Sequence, residues 1–390
     1  MKHLLFIFTL IICSLIVSCN TAKLSTADAE FGRGEYFQAA NTYRKVYNKT
    51  SASKERALRG KIAAKMATCY DRLNIPSRAA AAYQNAIRYH HPDSTLYLLL
   101  GRNLHNDGKY KDAIRNYELF LEKSPAHPLA LNGLKGATEA QEWKEKRTRY
   151  QVKRMDLFNS RRADFSPMLL GKDADQLYLT TANDKTTGTD KSEITGLKPC
   201  DIYFSKKNEK GVWQKPEPAE GELNTEFDEG TPAFSPDGNT IYFTRARRDA
   251  VAPTSTEIFS ASRAGGKWGA AQKVEIMKDT ISVFAHPAVS PDGRHLYFVS
   301  DMPGGFGGKD IWRTPLSNSG TGLVENLGDQ INTPGDEVFP TFRDNGILYF
   351  SSDGHPGMGG LDIFKARRDE WEIWHVENLK APVNSQGDDF

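Results

Sequence analysis

The second half of the chain repeats one pattern four times. Phe165-Ser166-Pro167, Thr231-Pro232-Ala233-Phe234-Ser235, His286-Pro287-Ala288-Val289-Ser290 and Phe339-Pro340-Thr341-Phe342 each open a unit. Each opening is followed by a short apolar run: Leu177-Tyr178-Leu179, Ile241-Tyr242-Phe243, Leu296-Tyr297-Phe298 and Leu348-Tyr349-Phe350. A third run begins at Asp201-Ile202-Tyr203, Glu257-Ile258-Phe259, Asp310-Ile311-Trp312 and Asp362-Ile363-Phe364, and a fourth precedes the next unit, as at residues 323–327. Alternating apolar residues bounded by Gly, Pro, Asn and Asp predict antiparallel strands. Ser235-Pro236-Asp237-Gly238 and Ser290-Pro291-Asp292-Gly293 are predicted turns in which Asp-Gly supplies positive φ. Four strands per unit at a spacing of 52 to 65 residues predict the blades of a β-propeller.

A second phrase recurs between the units. Asn159-Ser160, Asn224-Thr225 and Asn332-Thr333 stand eight residues before Pro167, Pro232 and Pro340, with Asp279-Thr280 a degenerate copy before Pro287. Asn384-Ser385 begins the phrase again, and the chain ends at Phe390, two residues before the proline is due. The expectation is at least four blades in an incomplete ring, truncated at the C-terminus. In an antiparallel blade, the connection from second to third strand and the one to the next blade lie on one side. On that side fall Gly304-Gly305-Phe306-Gly307-Gly308 and Gly357-Met358-Gly359-Gly360. Crowded backbones alone explain such glycines; a ligand or partner surface on the propeller is otherwise expected there. The repeats resemble the PD40 group of WD40-like propellers over essentially all of residues 155–390.

Residues 22–137 carry a different repeat. Tyr97, Leu100-Gly101, Leu104, Gly108, Tyr110, Ala113, Tyr117, Phe120 and Pro125 fall at the spacings of a tetratricopeptide repeat. A second copy reads Ala67, Tyr70, Ala79, Tyr83, Ala86 and Pro92, and a third Ala27, Gly34, Tyr36, Ala39 and Tyr43. Ala39 to Ala79 is 40 residues against 34 from Ala79 to Ala113, which predicts a longer connection or helix near residues 48–55. Residues 129–142 are the expected capping helix. The resemblance to tetratricopeptide repeats implies a groove for a peptide or a partner's helix, with Asp71, Arg72, Arg102 and Asn106 at groove-facing positions. The alternative for these four is a solvated polar face. Residues 144–162, with eight basic side chains against Glu145 and Asp156, read as a linker leading into a strand.

The N-terminus has Lys2 and His3, an apolar run from Leu4 to Val17, and then Ser18-Cys19. The run is too short to span a bilayer, and its layout is that of a secretory signal. Ile16-Val17-Ser18-Cys19 resembles a lipobox, which implies cleavage before Cys19 and lipidation of that residue. Asn20, in place of an aspartate, implies outer-membrane sorting, and Thr21-Ala22-Lys23-Leu24 lacks an acidic export cluster, so the periplasmic leaflet is expected. A net charge of +2 provides no basic stripe for nucleic acid. No Gly-x-Ser-x-Gly elbow, nucleotide-binding glycine motif or metal-ligand spacing occurs, so neither catalysis, cofactor nor metal is expected. Cys69 and Cys200 are expected as isolated, buried thiols.

The reading is a multidomain α-then-β chain: a signal peptide at 1–18, a tetratricopeptide α-solenoid at 19–145, a basic linker with a leading strand at 146–157, and a PD40-type β-propeller at 158–390. This order resembles a family of Bacteroidota envelope lipoproteins in which an OmpA-like peptidoglycan-binding domain follows. The resemblance implies a scaffold of a type IX secretion and gliding machinery. Its partners would be envelope proteins of that machinery, the outer membrane through the lipid, and peptidoglycan through a domain outside these residues. Two alternatives stand: a ligand- or glycan-sensing propeller, and a propeller capping a hydrolase domain not included here.

Overall fold

In the computed structural model the described residues are 23–171, 173–189, 191–192, 194–247, 255–278, 281–317, 320–343 and 346–390. They fall into two compact units: residues 23–125 with 191–196, and residues 126–189 with 197–390.

The first unit is built from helix pairs. Residues 23–32 form α1, followed by α2 (Tyr36–Lys49), α3 (Arg56–Arg72), α4 (Pro76–Arg88), α5 (Thr95–Asn106) and α6 (Tyr110–Leu121). Within each pair the chain turns on one left-handed residue: Gly34, Asn74 or Gly108, with φ of 75°, 52° and 72°. The turn closes the same way each time. The N–H groups of Glu35, Ile75 and Lys109 reach back to the carbonyls of Glu30, Tyr70 and Leu104, which satisfies the last carbonyl groups of the first helix. Pro76 opens α4, where a missing N–H costs nothing. The repeat residues form the seam of each pair: Ala39, Ala79 and Ala113 are wholly buried beside Tyr43, Tyr83 and Tyr117. At Gly101 a Cβ would lie 2.9 Å from the Tyr117 ring, so glycine is what lets α5 and α6 meet. The expected extra length lies in helix rather than connection, since α3 has 17 residues where α5 has 12.

The second unit contains four antiparallel sheets in chain order. The first blade is β1 (Asp164–Leu170), β2 (Gln176–Thr181), β3 (Asp201–Lys206) and β4 (Glu217–Pro218). The second has β5 (Asp228–Phe234), β6 (Thr240–Arg247), β7 (Ser255–Ala264), β8 (Lys267–Trp268) and β9 (Gln272–Lys273). The third has β10 (Ala285–Val289), β11 (His295–Ser300), β12 (Asp310–Ser317), β13 (Gly320–Thr321) and β14 (Glu325–Asn326). The fourth has β15 (Glu337–Phe342), β16 (Leu348–Ser352), β17 (Asp362–Arg368) and β18 (Trp374–Asn378). These sheets make a four-bladed propeller, with the cores in the seams between blades. Tyr178 and Ile202 pack with Ile241, Phe243 and Trp268; Ile258 with Leu296 and Phe298; and Val299 and Ile311 with Leu348 and Phe350.

The first strand of every blade carries a bulge at its proline, where register shifts across Phe165/Met168, Gly230/Ala233, Ala285/Ala288 and Val338/Thr341. Proline has no N–H for the ladder, and an extra unpaired residue accommodates it. The residue before each proline, Ser166, Thr231, His286 or Phe339, is left-handed. In the Ser-Pro-Asp-Gly turns only Gly238 and Gly293 take positive φ, contrary to the expectation that aspartate shares it. Asp237 and Asp292 instead accept hydrogen bonds from Ser235 Oγ and Ser290 Oγ at 2.5 and 2.6 Å.

Helix α7 (Pro128–Glu145), expected in the helical domain, groups with the propeller unit. Its small-residue stripe seats on the fourth blade. A Cβ on Gly136 would lie 2.4 Å from the Gly357 carbonyl oxygen, and Asn132 Nδ2 donates to the Gly354 carbonyl at 2.8 Å. Trp143 closes a buried cluster with Met358 and Ala381. The boundary therefore falls at Pro125/Ala126, not at residue 145. Residues 146–157 also form no strand: Thr148 donates its N–H to the Ala381 carbonyl, without the repeating ladder a strand requires, and β1 begins only at Asp164.

Candidate interaction surfaces

The four polar residues singled out on the helices fall on α3 and α5 and have unequal roles. Asp71 accepts a hydrogen bond from Asn103 Nδ2 at 2.7 Å, so it ties one helix pair to the next. Asn103, 32 residues beyond Asp71 and so off the 34-residue period, was not singled out in the sequence. Asn106 Nδ2 donates across the same spacing to Asn74 Oδ1 at 3.4 Å. Arg72 is exposed and Arg102 half-buried. One pair earlier, Asp28 takes both Lys65 Nζ and Tyr43 Oη at 2.6 Å, and these two donors hold its carboxyl below the usual range despite some burial. These polar ties register one helix pair against the next.

The glycine loops of the propeller are folded around buried carboxylates. Asp310 Oδ2 accepts from Phe306 N–H at 2.6 Å and its Oδ1 from Gly307 N–H at 3.1 Å. Asp362 Oδ2 accepts from Met358 and Gly359 N–H in the same way, and burial pushes its carboxyl well above the ordinary carboxylate range. A Cβ on Gly305 would meet Asp310, on Gly307 the Thr333 carbonyl at 2.1 Å, and on Gly308 Asp336 at 2.2 Å. Gly304 is needed for its φ of 95°. Gly304, Gly305, Gly307 and Gly308 nevertheless remain on an exposed surface beside Phe306. The matching loop in the fourth blade is different. Gly357 is buried under α7, while a Cβ on Gly359 would lie 1.8 Å from the Gln386 carbonyl, and Gly360 donates its N–H to that carbonyl at 3.2 Å. Gly357, Gly359 and Gly360 thus have packing roles in this blade, as crowded backbones require.

The Asn-Thr phrase has two structural functions. Asn224, Asn332 and Asn384 each use a side-chain amide as a surrogate strand, accepting from and donating to both backbone groups of Ile202, Ile311 and Ile363. The following hydroxyl residue then caps an acid four positions on: Thr225 with Glu229, Thr333 with Glu337, Ser385 with Asp389. Asp279-Thr280 lies outside the described residues. Burial raises Glu229 to about 6, offset by Arg245 at 2.7 Å; Glu337, with Ser352 across the ladder where Glu229 has Arg245, rises to about 8.

The residues before the four prolines had no functional assignment in the sequence; their shared left-handed backbone signals a common role in the innermost strands. His286 stacks on Phe339 at 4.0 Å, and Phe339 on Phe390 at 4.5 Å, with Phe165 edge-on to both phenylalanines. Burial pushes His286 down to about 3, and its Nδ1 accepts the Phe339 N–H. These contacts join the fourth blade to the first. Cys69 and Cys200 are both free thiols, but Cys200 is only part-buried by exposure, because it precedes β3 rather than lying within it. Cys19 lies outside the described residues.

No family model matches the chain, and no curated protein matches it. Among solved structures it is similar to the first tetratricopeptide domain of Spaghetti (RPAP3) bound to HSP90 peptide SRMEEVD, at 20% identity over 32% of this chain and 93% of that one, with a TM-score of 0.27. A puromycin-hydrolyzing peptidase of Mycobacterium tuberculosis is 16% identical over 55% of this chain, TM-score 0.32, and the chain spans 30% of its length. A thermostable family-43 glycoside hydrolase is 14% identical over 56% of this chain and 73% of that chain, TM-score 0.35. Likenesses at this level concern the path of the chain alone.

Proposed function

We propose that this chain is a non-catalytic envelope scaffold, held by a lipid on Cys19 at the periplasmic face of the outer membrane. Its helical repeats engage protein partners, and the propeller is a second docking body. The observation that carries the reading is the helical unit itself: three pairs registered by Asp28–Lys65, Asp71–Asn103 and Asn74–Asn106. Such stacks create extended surfaces for other chains, and Arg72 and Arg102 stand on adjacent helices there. The lipobox-like Ile16-Val17-Ser18-Cys19 supports the anchor. The resemblance to PorE of the type IX secretion system supports a secretion and gliding machinery as the partner. Linkage to peptidoglycan belongs, in this proposal, to an OmpA-like domain outside these residues.

The test is affinity capture from solubilised envelopes with the tagged lipoprotein, beside one lacking residues 23–125. That deletion ends at the unit boundary and leaves α7 on the propeller. Secretion-system subunits recovered only with the repeats present are the expected result, and their loss in Arg72→Glu/Arg102→Glu places the contact. Capture that is unchanged by the deletion overturns the role given to the helices.

A further inference from the structure

Between α7 and β1 the chain runs through nine consecutive exposed residues, 149–157, without helix or strand. Both ends of this run are fixed to the propeller. Before it, Thr148 donates its N–H and its Oγ1–H to the Ala381 carbonyl, just beyond the last strand of the fourth blade, at 2.8 and 3.1 Å. After it, Phe158 meets the Trp213 ring edge-on at 5.7 Å, between β3 and β4 of the first blade. Four of the nine side chains between these ties are large and apolar. Tyr150, Val152, Met155 and Leu157 keep 42, 65, 45 and 45% of their surface exposed. A linker that only joins two elements gains nothing from such residues, whereas apolar side chains clustered on a surface mark contact with another molecule.

Charge gives the surface its sign. Arg149, Lys153 and Arg154 alternate with the apolar residues, and the Phe158–Trp213 contact adds a second basic segment that is remote in sequence. In that segment Lys206, Lys210 and Lys215 are exposed, Val212 is 58% exposed, and Lys207 Nζ lies over the Trp213 ring at 4.8 Å. Residues 144–162 and 206–215 together hold twelve basic side chains against Glu145, Asp156 and Glu209. Ion pairs take up a minority of them: Lys146 with Glu142, Arg154 with Asp156, and Arg162 with Asp184. The β1–β2 turn brings Asp173 and Asp175 beside Lys207, whose N–H goes to the Asp175 carbonyl at 2.8 Å. The cations stay in excess.

We propose that residues 149–157 and the 206–215 turn form one surface that lies on a bilayer containing anionic phospholipid. Cationic side chains meet the phosphates while their stems and the aliphatic residues among them enter the headgroup boundary. That division of labour needs both residue types on one exposed stretch, which is what the run supplies. Single-stranded nucleic acid would instead call for aromatic platforms, and Tyr150 is the one aromatic residue among the four. The proposal gives the lipid-held protein a second hold on the membrane, and it rests on that reading for where a bilayer is met.

The experiment is vesicle flotation of the chain from Asn20 onward, which holds every described residue but neither the lipid nor the apolar run 4–17. The vesicles are phosphatidylglycerol and phosphatidylcholine in equal parts, beside phosphatidylcholine alone. Binding to the anionic vesicles only, weakened at least tenfold by about 0.5 M salt, is expected. Arg149→Gln/Lys153→Gln/Arg154→Gln should weaken it about a hundredfold, and Lys210→Gln/Lys215→Gln more than tenfold, at roughly fivefold for each cation. Val152→Ser/Leu157→Ser, with charge unchanged, should weaken it several-fold. These side chains are exposed, so the melting temperature should hold in all three variants. Hydrogen exchange at residues 149–157 should slow on the anionic vesicles. Equal binding to both vesicles, binding unmoved by the three glutamines, or unslowed exchange at 149–157 would overturn the proposal, and polyglutamate bound as tightly as the vesicles would overturn it in favour of an acidic protein. The anchor is read separately, from the mass of the N-terminal peptide of the envelope protein: an unmodified Cys19 sinks the anchor and leaves the vesicle result standing.

Discussion

Replacing one residue in a repeated frame changes the chemistry of that frame. Glu229 and Glu337 occupy the same place in the second and fourth copies of the phrase, yet one faces Arg245 and the other Ser352. Because burial raises Glu337 from 4.5 to about 8, the folded state holds a proton that the unfolded state has released. Its contribution to stability is complete below about pH 4.5 and is lost as pH rises through about 8. Melting temperatures followed across that window should fall for the parent and flatten in Glu337→Gln; an unchanged slope would refute the assignment. The asparagines make a second test. Asn332→Ala strands the Ile311 N–H, while the Ile311 carbonyl keeps the Leu327 N–H, and should cost about 1–3 kcal/mol in denaturant unfolding. Asn159→Ala, on an exposed copy of the phrase, should cost almost nothing.

At the scale of elements, close approach is the controlling quantity. Helix α7 reaches the fourth blade because Gly136 presents no side chain to Gly357. Gly136→Ala should therefore lift the helix and destabilise the propeller unit, and Trp143→Ala, which empties a buried cluster, should cost about 3–5 kcal/mol. Intrinsic tryptophan fluorescence with hydrogen exchange at Met358 and Gly359 reports both. Exchange protection left intact in Gly136→Ala would show that the contact is dispensable. The pair α5–α6 offers the matching test, since a methyl group at Gly101 meets the Tyr117 ring and should cost about 1–3 kcal/mol.

For the whole molecule, two units with separate cores predict two unfolding transitions in calorimetry. Trp143→Ala should move only the propeller transition, and Gly101→Ala only the helical one. A shift of both by either variant would mean that the cores are not independent. The deletion used for partner capture rests on the same division.

Much of this architecture was legible before any coordinates, because periodicity is a local property of sequence. Alanines and tyrosines at a fixed spacing had to form the seams of helix pairs, and four copies of an alternating pattern had to form four sheets, since each pattern buries one face only when its neighbours repeat it. Tertiary structure alone decided what depends on contacts between distant positions. It placed α7 on the propeller, covered one glycine loop and exposed its twin, and turned Asp71 into a tie between helices. Burial and hydrogen-bond satisfaction are sums over neighbours brought together by folding, so the same motif acquires different chemistry in each place where the chain repeats it.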